Sequence, residues 1–142
     1  MNYKLHSSDG KAILISGGYN FDTGSINRLD TVEIFNPSNP ASSCVLPSMT
    51  VYRYGHAQSG LTVCGGASTG WKNCETFTDG NWAVSHSLLE KRRFHGMWST
   101  PEGLVAVGGI DDTSAELLKD DGTSSKIFDL QDTDMRGYKS NK

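Results

Sequence analysis

The sequence predicts an all-β fold built from three repeats of four short strands. The first observation is a glycine pair that follows a short apolar run three times and ends at Gly18, Gly66 and Gly109. Spacings of 48 and 43 residues between these pairs are typical of stacked or radial repeat units. The second observation is strand-like alternation around each pair, and the third is that no longer stretch shows helical periodicity.

Each repeat is predicted to contain four strands separated by turn residues. Alternation of apolar and polar residues, together with β-branched content, gives their positions. The strands are predicted at 3–6, 12–16, 31–36 and 43–46 in the first unit, at 55–60, 61–65, 74–78 and 82–86 in the middle unit, and at 95–99, 104–107, 115–119 and 126–130 in the third. Four-stranded units of about this length are typical of the blades of a β-propeller.

Other residues recur in phase with the glycine pairs. A polar loop and then a glutamate follow each pair, at Glu33, Glu75 and Glu116. The middle unit continues with Phe77 and, after a turn at Asp79-Gly80-Asn81, with Trp82. An arginine lies shortly before a histidine upstream of the second and third pairs, in Arg53 with His56 and in Arg93 with His95.

This series resembles the kelch repeat, and the resemblance covers nearly the whole chain. It implies a partial β-propeller of about three four-stranded kelch blades, at roughly 1–46, 54–86 and 95–130, with 131–142 as a C-terminal tail. The region 1–142 is then a single kelch-repeat region. The first unit departs from the pattern because it has no tryptophan before its fourth strand, and the third unit lacks both aromatic residues.

The recurring residues are expected to be structural. Glycine permits close backbone approach and unusual backbone angles, so we expect the pairs to lie near the crowded axis. A phosphate-binding loop is the alternative, but it requires a helix start that does not follow. We expect Trp82 to pack between neighbouring blades, and the arginines and histidines to hydrogen-bond to backbone at blade edges, at Arg53, Arg93, His56 and His95.

The three cysteines indicate whether the chain belongs in an oxidising or a reducing compartment. Cys64 and Cys74 lie on neighbouring strands of one hairpin, so we predict a disulfide, with two buried thiols in a reducing compartment as the alternative. Cys44 is left over. The pattern resembles divergent invertebrate kelch-like proteins that are extracellular, which implies a mate for Cys44 beyond the third blade and favours an extracellular over a cytoplasmic location. On this resemblance the sequence reads as a truncated copy or a fragment.

Three blades are fewer than the ~4–8 of a typical propeller, which leaves two open edges. A piece of a larger gene product, a homodimer that closes a six-bladed ring, and an open arc are the three alternatives. The first is favoured and the homodimer comes second.

Function is expected on one face of the repeat. Because strands within a blade run antiparallel, the loops from strand two to three and the links between blades emerge on the same side. The resemblance implies that this face binds a partner protein. The residue types there, aromatic and cationic, are enriched in interface hot spots, and solvated loops are the alternative. The predicted partner-binding residues are Tyr19, Phe21, Arg28, Tyr52, Trp71, Lys72 and Arg92.

Other functions are disfavoured by charge and motifs. The formal net charge is −3 and the largest basic run is Lys91-Arg92-Arg93, which is unlike a nucleic-acid binder. No apolar run approaches the ~18 residues of a membrane helix, and we predict no catalytic residue, metal site or cofactor. The sequence therefore predicts a non-catalytic protein-interaction module. The alternatives are a fragment of an oxidase-like or cyclotransferase-like kelch enzyme, and the substrate-recognition half of a ubiquitin-ligase adaptor.

Overall fold

The structure, a computed structural model, describes residues 12–22, 24–67, 71–110 and 112–129. These ranges contain strands and one short 3-10 helix, Pro40–Ser42, but no α-helix. The strands are β1 (Ile13–Ser16), β2 (Tyr19–Asp22), β3 (Ser25–Arg28), β4 (Val32–Phe35), β5 (Cys44–Leu46), β6 (Ala57–Ser59), β7 (Thr62–Cys64), β8 (Asn73–Thr78), β9 (Asn81–Ser87), β10 (Gly96–Thr100), β11 (Gly103–Val107), β12 (Ser114–Leu118) and β13 (Ser124–Asp129). The all-β prediction is confirmed.

The strands form four small antiparallel sheets. A first sheet has the order β1-β4-β5, a middle sheet β6-β7-β8-β9 and a third sheet β10-β11-β12-β13, while β2 and β3 form a separate hairpin. In both four-stranded sheets each strand pairs with the next one along the chain. The segments 47–56 and 88–95 connect consecutive sheets and are called the first link and the second link.

The predicted strands of the middle and third units all overlap observed ones, as do three of the four in the first unit. The strand predicted at 3–6 and the tail at 131–142 lie outside the described residues. The hairpin of β2 and β3 differs from the prediction, which treated 19–30 as a loop. Every residue of β3 is exposed, so this strand carries no alternation between buried and exposed positions that would predict it.

The apolar core lies between consecutive sheets. One cluster joins the first sheet and first link to the middle sheet, and consists of Val32, Leu46, Met49, Val63, Phe77 and Trp82. A second cluster joins the middle sheet and second link to the third sheet, and consists of Ala57, Cys64, Cys74, Leu88, Met97, Ala106 and Leu118. The three sheets therefore pack in the order in which they occur along the chain.

Trp82 lies between neighbouring sheets, as predicted. Its ring centroid is 5.5 Å from that of Phe77, and its indole Nε1–H donates to the carbonyl oxygen of Pro47 in the first link at 2.9 Å. The preceding turn has Asp79 and Gly80 at its centre, both with positive φ, as in the type I′ turns that join antiparallel strands. The tight turn thus sets the start of β9 and with it the position of the indole.

The first two glycine pairs occupy matching positions, where a link passes close to the preceding sheet. A Cβ on Gly17 would lie 2.4 Å from the carbonyl oxygen of Arg53, and one on Gly65 would lie 2.5 Å from that of Arg92. The next glycine of each pair donates its N–H to the same carbonyl, Gly18 at 2.7 Å and Gly66 at 2.8 Å. Glycine is required there because any side chain would displace the link.

Cys64 and Cys74 form the predicted disulfide, which confirms that assignment. The two residues lie directly opposite each other on β7 and β8, with their Cα atoms 4.1 Å apart. Gly65 N–H donates to the carbonyl of Asn73, so the cysteines form a non-hydrogen-bonded pair, in which cross-strand side chains approach most closely. Both are fully buried, whereas Cys44 on β5 is exposed and forms no disulfide.

Candidate functional site

The links and the loop after β7 lie side by side at one edge of the sheets. Ala67 N–H donates to the carbonyl of Tyr54 in the first link at 2.9 Å. On the other side, Leu88 N–H of the second link donates to the carbonyl of Lys72 at 2.7 Å. This edge, together with the hairpin of β2 and β3, is called the loop face. The expectation that these segments share one side is met for the described residues.

Five side chains of the loop face form an aromatic cluster. The ring of Tyr19 is 5.5 Å from that of Phe21 and 5.5 Å from that of Tyr54, in edge-on geometry in both cases. The guanidinium of Arg28 lies 5.3 Å from the ring centroid of Tyr52 and 5.9 Å from that of Tyr54. Its Nη1–H also donates to the Tyr52 hydroxyl at 3.2 Å. Four predicted residues are thereby brought together, and Tyr54 is added to them.

The hairpin determines how the cluster is presented. Tyr19 and Phe21 are two residues apart on β2 and therefore point to the same side, and Arg28 lies opposite Tyr19 on β3. Phe21 is 70% exposed, and its cross-strand neighbour Ile26 is 55% exposed. Large apolar side chains held this far out of the core are typical of a surface that binds another molecule.

A second group of the loop face surrounds Trp71. The Lys91 ammonium lies 5.4 Å from the centroid of this ring and the Arg93 guanidinium lies 5.8 Å from it, within the range of cation–π attraction. Lys72 donates to the carbonyl of Leu89 in the second link. This group is called the cationic cluster, and it contains the predicted residues Trp71 and Lys72.

Phe94 connects the two links on this face. Its N–H donates to the carbonyl of Gly55 at 2.6 Å, and a Cβ on Gly55 would lie 3.0 Å from the Phe94 ring. The ring is nevertheless 58% exposed. It adds apolar surface to the loop face, and it is not among the binding residues predicted from the sequence.

Arg92 does not belong to the loop face, and its assignment as a partner-binding residue is corrected. Its side chain is fully buried and its Nε–H donates to Glu116 Oε1 at 2.6 Å. It also donates to the backbone carbonyls of Gly108 at 2.9 Å and Ser114 at 2.8 Å. Because a buried carboxylate and several buried carbonyls need a donor, the middle arginine of the run turns inward.

Arg53 makes the equivalent set of contacts one unit earlier. It donates to Glu75 Oε1 at 2.7 Å and to the carbonyls of Gly65 at 2.8 Å and Asn73 at 2.9 Å, and the side chains of Arg53 and Glu75 are fully buried. The counterpart of Arg53 is therefore Arg92 and not Arg93. Both arginines lie three residues before a histidine, and this exact spacing is the signal that separates them from Arg93.

The two histidines after these arginines are held neutral. Burial lowers the pKa of His56 from 6.5 to about 4, and the Arg53 charge adds to the shift. Burial likewise lowers the pKa of His95 from 6.5 to about 4, with contributions from Arg92 and His56. Ser16 Oγ lies 2.8 Å from His56 Nε2, whereas neither ring nitrogen of the buried His95 has a hydrogen-bond partner among the described residues.

The difference between the histidines follows from the residue before each glycine pair. Ser16 holds that place in the first unit, and its hydroxyl reaches His56. Cys64 holds it in the middle unit and is committed to the disulfide, so His95 finds no equivalent hydroxyl. Both histidines lie at junctions between sheets, but the expected hydrogen bonds to backbone are not found among the described residues, because His56 Nε2 meets the Ser16 hydroxyl and the His95 ring has no partner there.

Two further findings concern the described part of the chain. It contains no group of three or more His, Cys, Asp or Glu side chains placed to hold a metal ion. Within the same ranges, no helix has the length and apolar character needed to cross a membrane.

No family model matches this chain, and no curated protein matches it either.

Proposed function

We propose that the chain is a non-catalytic protein-interaction module, organised as part of a kelch-type β-propeller, which binds a partner protein through the loop face. The organisation is supported by the order of the sheets and by the recurrence of one junction. In both junctions a link arginine pairs with the glutamate of the following sheet, and its carbonyl accepts from the glycine pair of the preceding sheet. The resemblance of these residues to the kelch repeat also supports the proposed propeller organisation.

The observation that carries the functional proposal is the aromatic cluster. Tyr19, Phe21 and Arg28 are drawn from an inserted hairpin, and Tyr52 and Tyr54 from the first link, yet they meet at one place. Aromatic and arginine side chains dominate the energy of protein interfaces. Mutual contacts hold them in place before binding, which lowers the entropy lost when a partner is bound.

The cationic cluster extends this surface across the middle unit. Lys91 and Arg93 are held against Trp71, so the indole and its two cations form one preorganised group. Long cationic side chains stacked on an aromatic ring contribute both apolar contact and charge. We assign the loop face from the hairpin to Trp71 as the binding surface.

An extracellular setting fits the disulfide. Disulfides persist in oxidising compartments and are rare in the cytosol. The Cys64–Cys74 pair is fully buried and lies within the core between the middle and third sheets. No contact among the described residues favours the enzyme-fragment or the adaptor alternative.

The experiment removes the aromatic side chains supplied by the hairpin of β2 and β3 and leaves the first, middle and third sheets intact. Gly18 and Leu29 are joined by a hydrogen bond at 3.0 Å, so the hairpin between them can be replaced by a two-residue Asn-Gly turn. The full chain, this variant and Phe21→Ala/Arg28→Ala are immobilised and exposed to extracellular extract of the source organism. The captured proteins are then quantified by mass spectrometry. Val84→Ala, at a 60% exposed position on β9, is the matched control.

We expect the full chain and the Val84→Ala control to retain the same protein, with at least ~10-fold less retained by both cluster variants. Equal retention by all four proteins would show that binding does not use the aromatic cluster, and the proposal would then fail.

A further inference from the structure

The first sheet exposes positions that the middle sheet buries. Ile15 and Val63 both lie two residues before a glycine pair, yet Ile15 is 51% exposed and Val63 is 0% exposed. Phe35 and Phe77 both lie two residues after the repeated glutamate, and they are 37% and 5% exposed. Val63 and Phe77 are buried because the first sheet packs on them.

These exposed positions belong to one surface. Strand alternation and cross-strand register place Ile13 opposite Phe35, Ile15 opposite Glu33, and Glu33 opposite Val45. Ile13 is 51% exposed and Val45 is 68% exposed. The outer face of the first sheet is defined by Ile13, Ile15, Glu33, Phe35 and Val45.

The third sheet presents the complementary surface. Leu14 and Ile34 are cross-strand neighbours in the first sheet and pack against the middle sheet's cluster. Their counterparts, at the same distances from the glycine pair and the glutamate, are Val105 and Leu117, which are also cross-strand neighbours. Phe128 on β13 lies opposite Ala115, which is two residues before Leu117 and on the same face of β12, and Phe128 is 49% exposed. The front face of the third sheet is defined by Val105, Leu117 and Phe128.

We propose that the outer face of the first sheet binds the front face of the third sheet of a second copy of this chain. The two surfaces correspond to those that pack together at the two junctions inside the chain, and here each lacks its counterpart among the described residues. Two copies joined head to tail form two identical contacts and close on themselves. The inference rests on the propeller organisation proposed above, but not on the loop face.

Apolar side chains carry this contact. Inside the chain, Glu75 and Glu116 are buried only because an arginine meets each of them. Glu33 has no ion pair among the described residues and remains exposed. Because burying an unpaired carboxylate is costly, the stabilising contacts are assigned to Ile13, Ile15, Phe35 and Val45.

The first measurement is the mass of the full chain in solution by light scattering and analytical ultracentrifugation over a range of concentrations. We expect a dimer. Ile15→Asp and, as a second variant, Val45→Asp place a charge in the contact and raise the dimer dissociation constant by at least ~100-fold. Both positions are more than half exposed, so the variants keep their fold, which circular dichroism checks. Val84→Asp, equally exposed on the middle sheet, leaves the dimer unchanged.

A mixing experiment tests the head-to-tail pairing. Phe128→Asp alone is expected to be monomeric, as is Ile15→Asp. An equimolar mixture restores a heterodimer, because the intact third sheet of the Ile15→Asp chain still meets the intact first sheet of the Phe128→Asp chain. A monomer at all concentrations, a dimer that survives Ile15→Asp, or a mixture without heterodimer would overturn the proposal.

The outcome is independent of the loop-face experiment. Failure of the dimer with continued loss of capture in the Phe21→Ala/Arg28→Ala variant leaves the proposed function standing. A dimer with unchanged capture in that variant contradicts the proposed function and supports this contact.

Discussion

Arg53 and Arg92 show how one residue type joins two neighbouring sheets. The guanidinium of Arg53 is bound by the carboxylate and carbonyls of the middle sheet, while its own carbonyl accepts from Gly18 of the preceding unit. Arg92 repeats the arrangement with Glu116 and Gly66. Each arginine therefore connects its link to the preceding and to the following sheet. These contacts fix the position of the link relative to both sheets.

Loss of either arginine should destabilise the fold strongly. Arg53→Ala leaves Glu75 buried without a cation, and removal of one partner of a buried ion pair costs about 3–5 kcal/mol. We expect the free energy of unfolding in urea to fall by that amount for Arg53→Ala and for Arg92→Ala. Lys91→Ala, an exposed neighbour, is the control and should change it by less than about 1 kcal/mol. Equal effects for all three variants would contradict the assignment.

The neutral histidines give the stability a defined pH dependence. The pKa of both His56 and His95 is about 4 in the folded chain and 6.5 in the unfolded chain. Between these values the unfolded chain binds more protons, so stability is full above pH 6.5 and falls as the pH decreases toward 4. The loss at pH 4 is on the order of 3 kcal/mol for each histidine.

This dependence is checked by urea unfolding between pH 7 and pH 4. His95→Gln should flatten the curve in that window, because it removes one of the two titrating groups. Val84→Ala, at an exposed position on β9, is the control; because it removes no titratable group, that variant should keep the slope of the original chain. A stability that stays constant from pH 7 to pH 4 would be incompatible with buried neutral histidines.

Residues with a clear position in the strand pattern were the easiest to predict from the sequence. The glycine pairs recur, the two disulfide cysteines lie on neighbouring strands of one hairpin, and Trp82 follows the turn that begins its strand. Arg92 was misassigned because the prediction aligned Arg93 with Arg53 and did not use the three-residue spacing to the following histidine, which only Arg92 shares with Arg53. Tyr54 was missed because its importance depends on a hairpin that the sequence did not predict.

At the scale of elements, the hairpin of β2 and β3 is an addition to the repeat. The described residues of the middle and third units contain no strand in that place, and the first sheet closes behind the hairpin through the hydrogen bond from Leu29 to Gly18. The residues of β3 are all exposed, so the hairpin gains stability from its contact with the first link. An element of this kind is free to specialise for binding because the core does not depend on it.

The hairpin of β7 and β8 has the opposite character. Its disulfide lies in the core and closes the short loop between the two strands. A crosslink over about ten residues stabilises a fold by roughly 2–4 kcal/mol. We expect Cys64→Ala/Cys74→Ala to lower the free energy of unfolding by about that amount. Cys44→Ser changes an exposed thiol and should have little effect. An equal melting temperature with and without reductant would contradict this role.

At the scale of the whole molecule, the first, middle and third sheets present three distinct surfaces. These are the loop face, the outer face of the first sheet and the front face of the third sheet. The loop face collects aromatic and cationic side chains, whereas the ends expose apolar surfaces that match the internal junctions. The sequence predicted the repeat and the side on which the loops meet, because both follow from period and strand direction. The contacts within the loop face and the surfaces at the ends could not be predicted, because they depend on how the sheets pack.

The repeated junction between sheets is the basis of both proposals, and its backbone hydrogen bonds can be measured directly. Nuclear magnetic resonance detects scalar coupling across a hydrogen bond between an amide nitrogen and a carbonyl carbon. We expect coupling from Gly18 to Arg53 and, equally, from Gly66 to Arg92. If neither pair is coupled, or only one is, then the sheets are not joined by one recurring contact, and the proposed arrangement of the loop face and of the dimer is wrong.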